Sequence, residues 1–356
     1  MSKLLTFCIL MIISLTGFTK VRLFKSNEAL DAEIQLDLTY FRAHREVLRE
    51  KGIPGKMVVG AQSFEVEVLS RGQGSMDNHH SPFKLVFKKS ENKGSLFEGI
   101  KKIKAFVEPQ GETSQNQRQV LSNYLLYKLV EKVTPYAFKT KMFNLKYIDT
   151  SNNIPPFESL TFLKEPNKNI AKRFNMTYIA FKYGNGNDPI AMKIKDKVDL
   201  KTVELVTAFE FIAGNFDNAI PGIYSDIFKG PAQTEKNMKM IKDQNNKYYP
   251  VMYDFDFSGF MDRNYCWWEI GYGVTLPGRD AHYPNVKDIC DGVFIEKHFK
   301  IDLNNYYYKE NVKKYYPLIR SKIIEWRSEN AQDLIKLSPS YLYNIDIYLR
   351  VLDKLL

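Results

Sequence analysis

The segment Tyr253-Asp-Phe-Asp-Phe-Ser-Gly259 follows an apolar run, and we predict a strand over Tyr248–Phe257. Residues i and i+2 of a strand lie on the same face, so Asp254 and Asp256 are expected to point the same way. Two adjacent carboxylates repel each other unless a cation or solvent relieves them. Their oxygens would suit Mg²⁺ bound together with substrate phosphates. Taken alone, the pattern favours a half-buried strand with a hydrated acidic face over a metal site.

A second acidic segment lies upstream, after a predicted helix. Asp199 suits the N-cap of a helix whose apolar residues recur at helical spacing up to Ile212, and Gly214 ends it. The loop Gly214-Asn-Phe-Asp-Asn218 comes next. Such a loop can present Asp217 in a cleft as a base that orients an attacking hydroxyl. Asn, Asp and Gly are also common turn residues, and this loop alone favours a capped turn.

The first half of the chain is rich in predicted strands. Apolar and acidic residues alternate over 64–68, which is typical of a half-buried strand. A second strand over 83–87 places its phenylalanines and a leucine on one face. The glycine-bearing turn 70–75 joins the two strands.

A third predicted strand, 103–107, carries Lys104 and precedes a helix over 115–133 that contains Asn123. A strand lysine directed into a cleft can hold phosphates. Without other information, a hydrated lysine next to Lys101 and Lys102 is the favoured interpretation.

The fold class expected from these elements is α+β with two lobes. A sheet-rich N-lobe would cover residues 20–164 and a helix-rich C-lobe would cover residues 165–356. Small ligands commonly bind in the cleft between two lobes. The order of the parts is a glycine turn, a strand lysine, a helix, a strand, a loop aspartate and a D-x-D segment. That order is typical of kinase-like phosphotransferases.

The chain resembles the bacterial atypical kinase-like family related to the spore-coat protein H kinases, and in particular an exported branch of unknown role. The resemblance runs from about Lys56 to the C-terminus. Its matching pieces are Ser70-Arg-Gly, Ser81–Lys88, Leu96–Lys104, Val120–Leu129, Phe209–Asn218 and Pro250–Gly259.

The resemblance implies a two-lobed protein-kinase-like fold that uses ATP and Mg²⁺ or Mn²⁺. It assigns Lys104 to the nucleotide phosphates, together with Arg71 of the first matching piece. It makes Asp217 the catalytic-loop aspartate, and it makes Asp254 a metal ligand with Asp256 beside it.

The chain departs from the family's pattern at positions that matter for catalysis. Asn123 stands where members usually carry a Glu that pairs with the strand lysine. Tyr224 and Ser225 stand where members usually carry His-Asn. Serine is a poorer cation ligand than the Asn carbonyl, although Asn218 could substitute. These departures favour a catalytically inert pseudokinase as the alternative to an active enzyme.

Composition limits the partners. The 356 residues carry a net charge of +10, which suggests attraction to anions such as nucleotide phosphates or envelope polymers. No compact block of basic residues is present, so we expect no dedicated nucleic-acid binding. The 22 Tyr and 24 Phe leave a third interpretation open, an aromatic-rich polysaccharide binder of the cell envelope.

The N-terminus has the pattern of a secretory signal peptide. Lys3 precedes the apolar run 4–18, and the chain turns polar from Lys20, so residues 1–19 are predicted to be a cleaved leader. An uncleaved anchor or a buried first helix is the alternative. We expect an exported protein, periplasmic or extracellular, that does not span a membrane after cleavage. In that compartment Cys266 and Cys290 would form a disulfide or remain two buried thiols.

The sequence therefore predicts an exported kinase-like phosphotransferase that moves phosphate from a nucleotide to a protein or envelope acceptor. The alternatives are a non-catalytic binding or scaffold module on the same fold, or a polysaccharide binder.

Overall fold

The computed structural model describes residues 22–71, 82–88, 92–107, 114–180, 194–215, 219–220, 224–225, 237–255, 309–337 and 339–356. Helices and sheets are both present, which confirms the predicted mixture of α and β structure. Contacts group the residues into two compact units, Met1–Glu112 with Thr140–Phe174 and Thr113–Lys139 with Asn175–Leu356. Each unit is therefore formed by two separate stretches of the chain.

The described strands are, in chain order, β1 (Leu30–Leu36), β2 (Ile53–Val59), β3 (Gln62–Ser70), β4 (Phe83–Phe87), β5 (Lys102–Phe106), β6 (Thr140–Asp149), β7 (Phe157–Lys164), β8 (Thr177–Ile179), β9 (Ala219–Ile220), β10 (Tyr224–Ser225), β11 (Met238–Lys242) and β12 (Tyr248–Met252). The described α-helices are α1 (Leu38–Ala43), α2 (Ser114–Val133), α3 (Asn167–Arg173), α4 (Leu200–Ile212), α5 (Lys309–Glu329), α6 (Ala331–Leu337) and α7 (Pro339–Leu355). Short 3₁₀ turns occupy Arg22–Phe24, Val47–Arg49 and Lys195–Lys197.

The first unit is a closed barrel of seven strands in the order β1-β2-β3-β4-β5-β7-β6. β1 pairs in parallel with β6, and the other neighbouring strands pair antiparallel. Closure pairs both sides of every strand, so no edge is left to bind another chain. The sequence predicts a sheet-rich lobe here, but the closure depends on β1 and β2, which lie upstream of the first predicted strand.

The side chains of alternate strand residues fill the interior of the barrel. Phe64, Val66 and Val68 of β3 are buried, whereas Glu65 and Glu67 between them are exposed. β4 repeats the pattern with its aromatic residues and leucine inside the barrel. The predicted half-buried strands are thus confirmed. Consequently, the lysines of β4 and β5 lie on the outer face of the barrel.

Helix α2 confirms the helix predicted from residue 115 to residue 133. Apolar residues that recur at helical spacing along it are buried, namely Val120, Tyr124, Tyr127 and Val130. Its contacts place it in the second unit, although the sequence assigns it to the 20–164 lobe. Trp326 of α5 donates its indole N–H to the Leu125 carbonyl oxygen at 3.0 Å, which fixes α5 against α2.

The second unit combines the remaining helices with two small sheets. β12, β11 and β8 form an antiparallel sheet in that order, and β9 pairs with β10. Asp199 caps α4 as predicted, since its carboxylate accepts the Thr202 backbone N–H at 2.9 Å. Gly214 follows the helix with a φ of 64°, a left-handed conformation that glycine adopts without steric cost.

Within the described residues, no helix is both long enough and apolar enough to cross a membrane. The predicted leader, residues 1–19, and the cysteines Cys266 and Cys290 lie outside the described residues.

Candidate functional site

Three of the predicted site residues are described with their side chains: Arg71 and Lys104 in the barrel unit, and Asp254 in the helical unit. Asp217, Asn218 and Asp256 lie outside the described residues. Ser225 is described only as part of strand β10. The assignments on those four residues stay predictions.

Lys104 lies in the middle of a row of three lysines across the outer face of the barrel. Its register partner in β4 is Lys84, and its register partner in β7 is Lys164. Directly opposite residues of antiparallel strands have Cβ atoms about 4.5–5.5 Å apart. Three like charges therefore occupy adjacent strands at one level of the barrel.

An aromatic pair lies beside this row. Phe106 is two residues after Lys104 and pairs in register with Phe162, and their rings stack with centroids 4.7 Å apart. The Arg71 guanidinium lies over the Phe106 ring, 4.4 Å from its centroid. The contact resembles a cation–π interaction and holds Arg71 on the face that carries Lys104.

The surroundings of Lys84 are cationic. Partial burial lowers the pKa of its ammonium group, and the nearby charges of Lys102 and Arg71 lower it further. Within the described part of the chain, no carboxylate forms an ion pair with Lys84. Lys164 is only 2% exposed, and its ammonium group donates to the neutral Asn167 side-chain oxygen at 3.2 Å. The cationic surroundings of Lys84 therefore favour an anion beside this side chain.

Asp254 does not lie in a strand. β12 ends at Met252, and Asp254 has a φ of 68°, in the left-handed region that Asp adopts more readily than most residues. The predicted strand to Phe257 is therefore wrong at this position, and alternation along a strand cannot align Asp254 with Asp256. The reason is local: the backbone turns so that the Asp254 N–H donates to the Tyr127 hydroxyl oxygen at 3.1 Å.

Side chains from α2 and from the end of α4 surround the backbone of Asp254. The Tyr127 ring packs edge-on against Phe255, with ring centroids 5.0 Å apart. The Asn215 side-chain amide donates to the Asp254 carbonyl oxygen at 3.5 Å, a long hydrogen bond. Both peptide groups of Asp254 are thereby engaged, so its conformation is set by residues far away in the sequence.

Glu210, near the end of α4, is fully buried in the same unit. Burial raises the pKa of its carboxyl group well above the ordinary value, while the Asn215 side chain opposes the shift. Burial therefore favours the neutral, protonated form of this carboxyl group. Asp217, the predicted catalytic residue, lies seven residues further along the chain.

Nucleotide and metal fit the described residues to different degrees. The lysine row and Arg71 bring together cationic side chains, the type that binds phosphate oxygens. Within the described ranges, no group of three or more His, Cys, Asp or Glu side chains could hold a metal ion. Of the predicted metal ligands, only Asp254 has a described side chain.

Helix α2 contains few acidic residues. Glu131 is its single carboxylate in the sequence, and it is bound by Lys128 and Lys139. Asn123, half-buried on the same helix, is neutral. The acidic side chain of α2 is therefore already paired with lysines of its own unit.

Sequence reasoning missed Lys84, Lys164, Tyr127 and Glu210. The sequence identified Lys84 as a strand residue and Tyr127 as a buried helix residue, but not their partners. Strand register and helix packing create these contacts, and neither can be derived from local periodicity.

A scan of the chain against models of known protein families finds no match, and no curated protein matches it.

Proposed function

We propose that this chain is an exported kinase-like phosphotransferase that moves phosphate from a nucleotide, ATP or another, to a protein or envelope acceptor. The observation that carries the proposal is the row of lysines Lys84, Lys104 and Lys164 beside Arg71 and the stacked aromatic pair. Cationic side chains bind phosphate oxygens through charge-assisted hydrogen bonds.

The order of elements supports a kinase-like arrangement. Lys104 lies in β5, and helix α2 and strands β6 and β7 come next. In the sequence, the predicted glycine turn follows β3, and the predicted loop with Asp217 follows α4. The seven-stranded closed barrel is a departure from an open sheet-rich lobe. It adds strands β1 and β2 before the elements that correspond to the proposed nucleotide lobe.

In the proposed reaction, Lys104 and Arg71 bind the phosphate oxygens and Asp217 acts on the acceptor. The acceptor hydroxyl oxygen attacks the terminal phosphorus, and the bond from that phosphorus to its bridging oxygen breaks. The hydroxyl proton passes to the Asp217 carboxylate, and the nucleoside diphosphate leaves. Positioning and charge neutralisation do most of the catalytic work in such transfers.

Asp254, with Asp256, Asn218 and Ser225, would hold Mg²⁺ or Mn²⁺, whose chemical contribution is to neutralise charge on the phosphates. The role of the chain is to fix Asp254. The hydrogen bonds to its N–H and carbonyl oxygen support that role.

A second candidate is a non-catalytic binding module on the same fold. Asn123 in α2 favours it, because the helix then lacks an acid for the phosphate-binding lysine. Such a module would bind nucleotide or an envelope partner without transferring phosphate.

A thermal-shift titration with ATP and Mg²⁺ or Mn²⁺ tests the nucleotide site in the chain that lacks residues 1–19. A ligand at a hundredfold excess over its Kd stabilises the folded state by about 2.7 kcal/mol. Asp254→Gly is the informative variant, since glycine adopts the observed φ of 68° without cost and only the carboxylate is lost. Asp196→Ala, at an exposed carboxylate of the same unit, is the control.

We expect a metal-dependent shift that Asp254→Gly abolishes and the control retains. An unfolding temperature that does not change at millimolar nucleotide would contradict the proposal. Asp217→Asn then separates the two candidates: an enzyme keeps nucleotide binding and loses phosphate transfer, whereas a binding module shows no transfer in either form.

A further inference from the structure

The lysine row places ammonium-bearing side chains of three neighbouring strands at one level of the barrel. Lys84 lies opposite Lys104, and Lys104 lies opposite Lys164, so two like-charge pairs occupy neighbouring strands. Like charges directly opposite each other destabilise a sheet. Exposed lysines relieve such repulsion by turning into water, but Lys84 is half-buried and Lys164 is buried.

Lys84 has cationic neighbours. The charged groups that act on it are Lys102 and Arg71, both cations. Among the described residues none supplies Lys84 with a carboxylate. A partly buried ammonium among other cations lowers the stability of the folded protein until an external anion neutralises it.

The spacing of the row indicates what kind of anion fits. Adjacent strands are about 4.8 Å apart, so the row from β4 through β5 to β7 extends over roughly 10 Å. Side chains on the level of Phe106 lie about 7 Å further along the strands. An anion that neutralises several of these cations must therefore carry its charge on more than one centre.

We propose that Lys84 binds the phosphate chain of the nucleotide together with Lys104 and Arg71, and that this site selects nucleoside di- and triphosphates over monophosphates. The inference rests on the proposed function and deepens it. The lysine of β4 supplies a third cation, which the resemblance to known kinase-like proteins does not assign.

The test uses inorganic tripolyphosphate, ATP and AMP as probes in thermal-shift titrations of the chain lacking residues 1–19. Lys84→Met removes the charge and keeps an unbranched apolar side chain, and Lys84→Arg restores a cation. Lys146→Ala, at an exposed lysine of strand β6 in the same barrel, is the matched control.

We expect Lys84→Met to weaken tripolyphosphate and ATP binding about tenfold, the loss of one charge-assisted hydrogen bond. Lys84→Arg should recover most of the affinity, and Lys146→Ala should change nothing. AMP should bind weakly to every variant. Higher salt should weaken tripolyphosphate binding to the wild type more than to Lys84→Met, because one cation fewer is involved.

Different experimental outcomes would contradict this inference and the proposed function. If Lys84→Met binds ATP as well as the wild type while Lys104→Met does not, Lys84 has no role, and the nucleotide site stands. If tripolyphosphate binding depends on Lys84 but ATP binds no better than AMP, the anion site stands and the nucleotide assignment is overturned. A folding defect in Lys84→Met would appear as a lower unfolding midpoint without ligand, and recovery in Lys84→Arg identifies the charge as the cause of any binding loss.

Discussion

Glu210 is an ionisable residue that the fold buries completely. It lies in α4 among buried apolar neighbours and is 0% exposed. Neither of its carboxylate oxygens has a hydrogen-bond partner in good geometry within the described residues. An ionised carboxylate would be very costly there, so the folded protein retains the proton and the pKa rises.

The raised pKa gives a prediction for stability against pH. The unfolded chain releases the Glu210 proton near pH 4.5, whereas the raised pKa makes the folded chain release it at a higher pH, so stability falls as pH rises above 4.5. Glu210→Gln cannot ionise in either state. Its free energy of unfolding should exceed that of the wild type by about 1.4 kcal/mol per pH unit until the folded group ionises, and the two should converge near pH 4.

Urea denaturation at several pH values measures this difference. Glu204→Gln on the same helix is the control, because the Glu204 carboxylate binds the Lys314 ammonium at 2.6 Å and the Tyr315 hydroxyl at 3.0 Å. That variant should gain no stability at high pH. Parallel pH curves for Glu210→Gln and the wild type would show that Glu210 is ionised in the folded state.

At the scale of elements, helix α2 controls the segment that follows β12. Tyr127 accepts the Asp254 N–H and packs against Phe255. The helix thus stabilises a left-handed aspartate 127 residues away along the chain. Such strained backbone persists only where its surroundings hold it.

Tyr127→Phe tests this connection. The buried ring remains and the hydroxyl acceptor is lost, so we expect a loss of about 1 kcal/mol in the free energy of unfolding. The Mg²⁺ concentration needed for half of the ATP-dependent thermal shift should also rise, because Asp254 is less well positioned.

Tyr248→Phe is the matched control for that variant. Tyr248 is half-exposed in β12, and no hydrogen bond from its hydroxyl group is found in the described part of the chain. Loss of the Tyr248 hydroxyl group should leave the free energy of unfolding and the Mg²⁺ concentration for half of the thermal shift unchanged. A Tyr127→Phe protein with unaltered stability and unaltered metal response would contradict a positioning role.

At the scale of the whole molecule, the barrel depends on strands from two distant stretches of sequence. β1 pairs with β6, and β5 pairs with β7. In the sequence, helix α2 lies between the two members of each pair. Without β6 and β7, both β1 and β5 would expose unpaired backbone groups and apolar side chains.

Two fragments test this dependence. Residues 20–112 contain only five of the seven strands, so we expect no cooperative thermal transition and a tendency to aggregate. Residues 20–174 contain all seven strands and should unfold cooperatively, as followed by circular dichroism. A cooperative transition of the shorter fragment would show that the barrel does not need its closing strands.

Local patterns in the sequence predicted the elements well where burial follows a simple period. The alternation at Phe64–Val68, the helical spacing from Val120 to Val130 and the Asp199 cap all hold in the structure. Each depends on residues close together in the chain. The strand through Asp254 failed because a hydroxyl from α2 holds the backbone in another conformation.

The sequence by itself determined which residues of β3 and β4 face the core, where α2 and α4 occur along the chain, and that Lys104 is on a strand. Only the tertiary structure decided that the strands close into a barrel, that Lys84 and Lys164 flank Lys104, and that Glu210 is a buried acid. The physical reason is that hydrophobic periodicity acts over a few residues. Strand register, packing and electrostatic environment arise from contacts between distant parts of the chain.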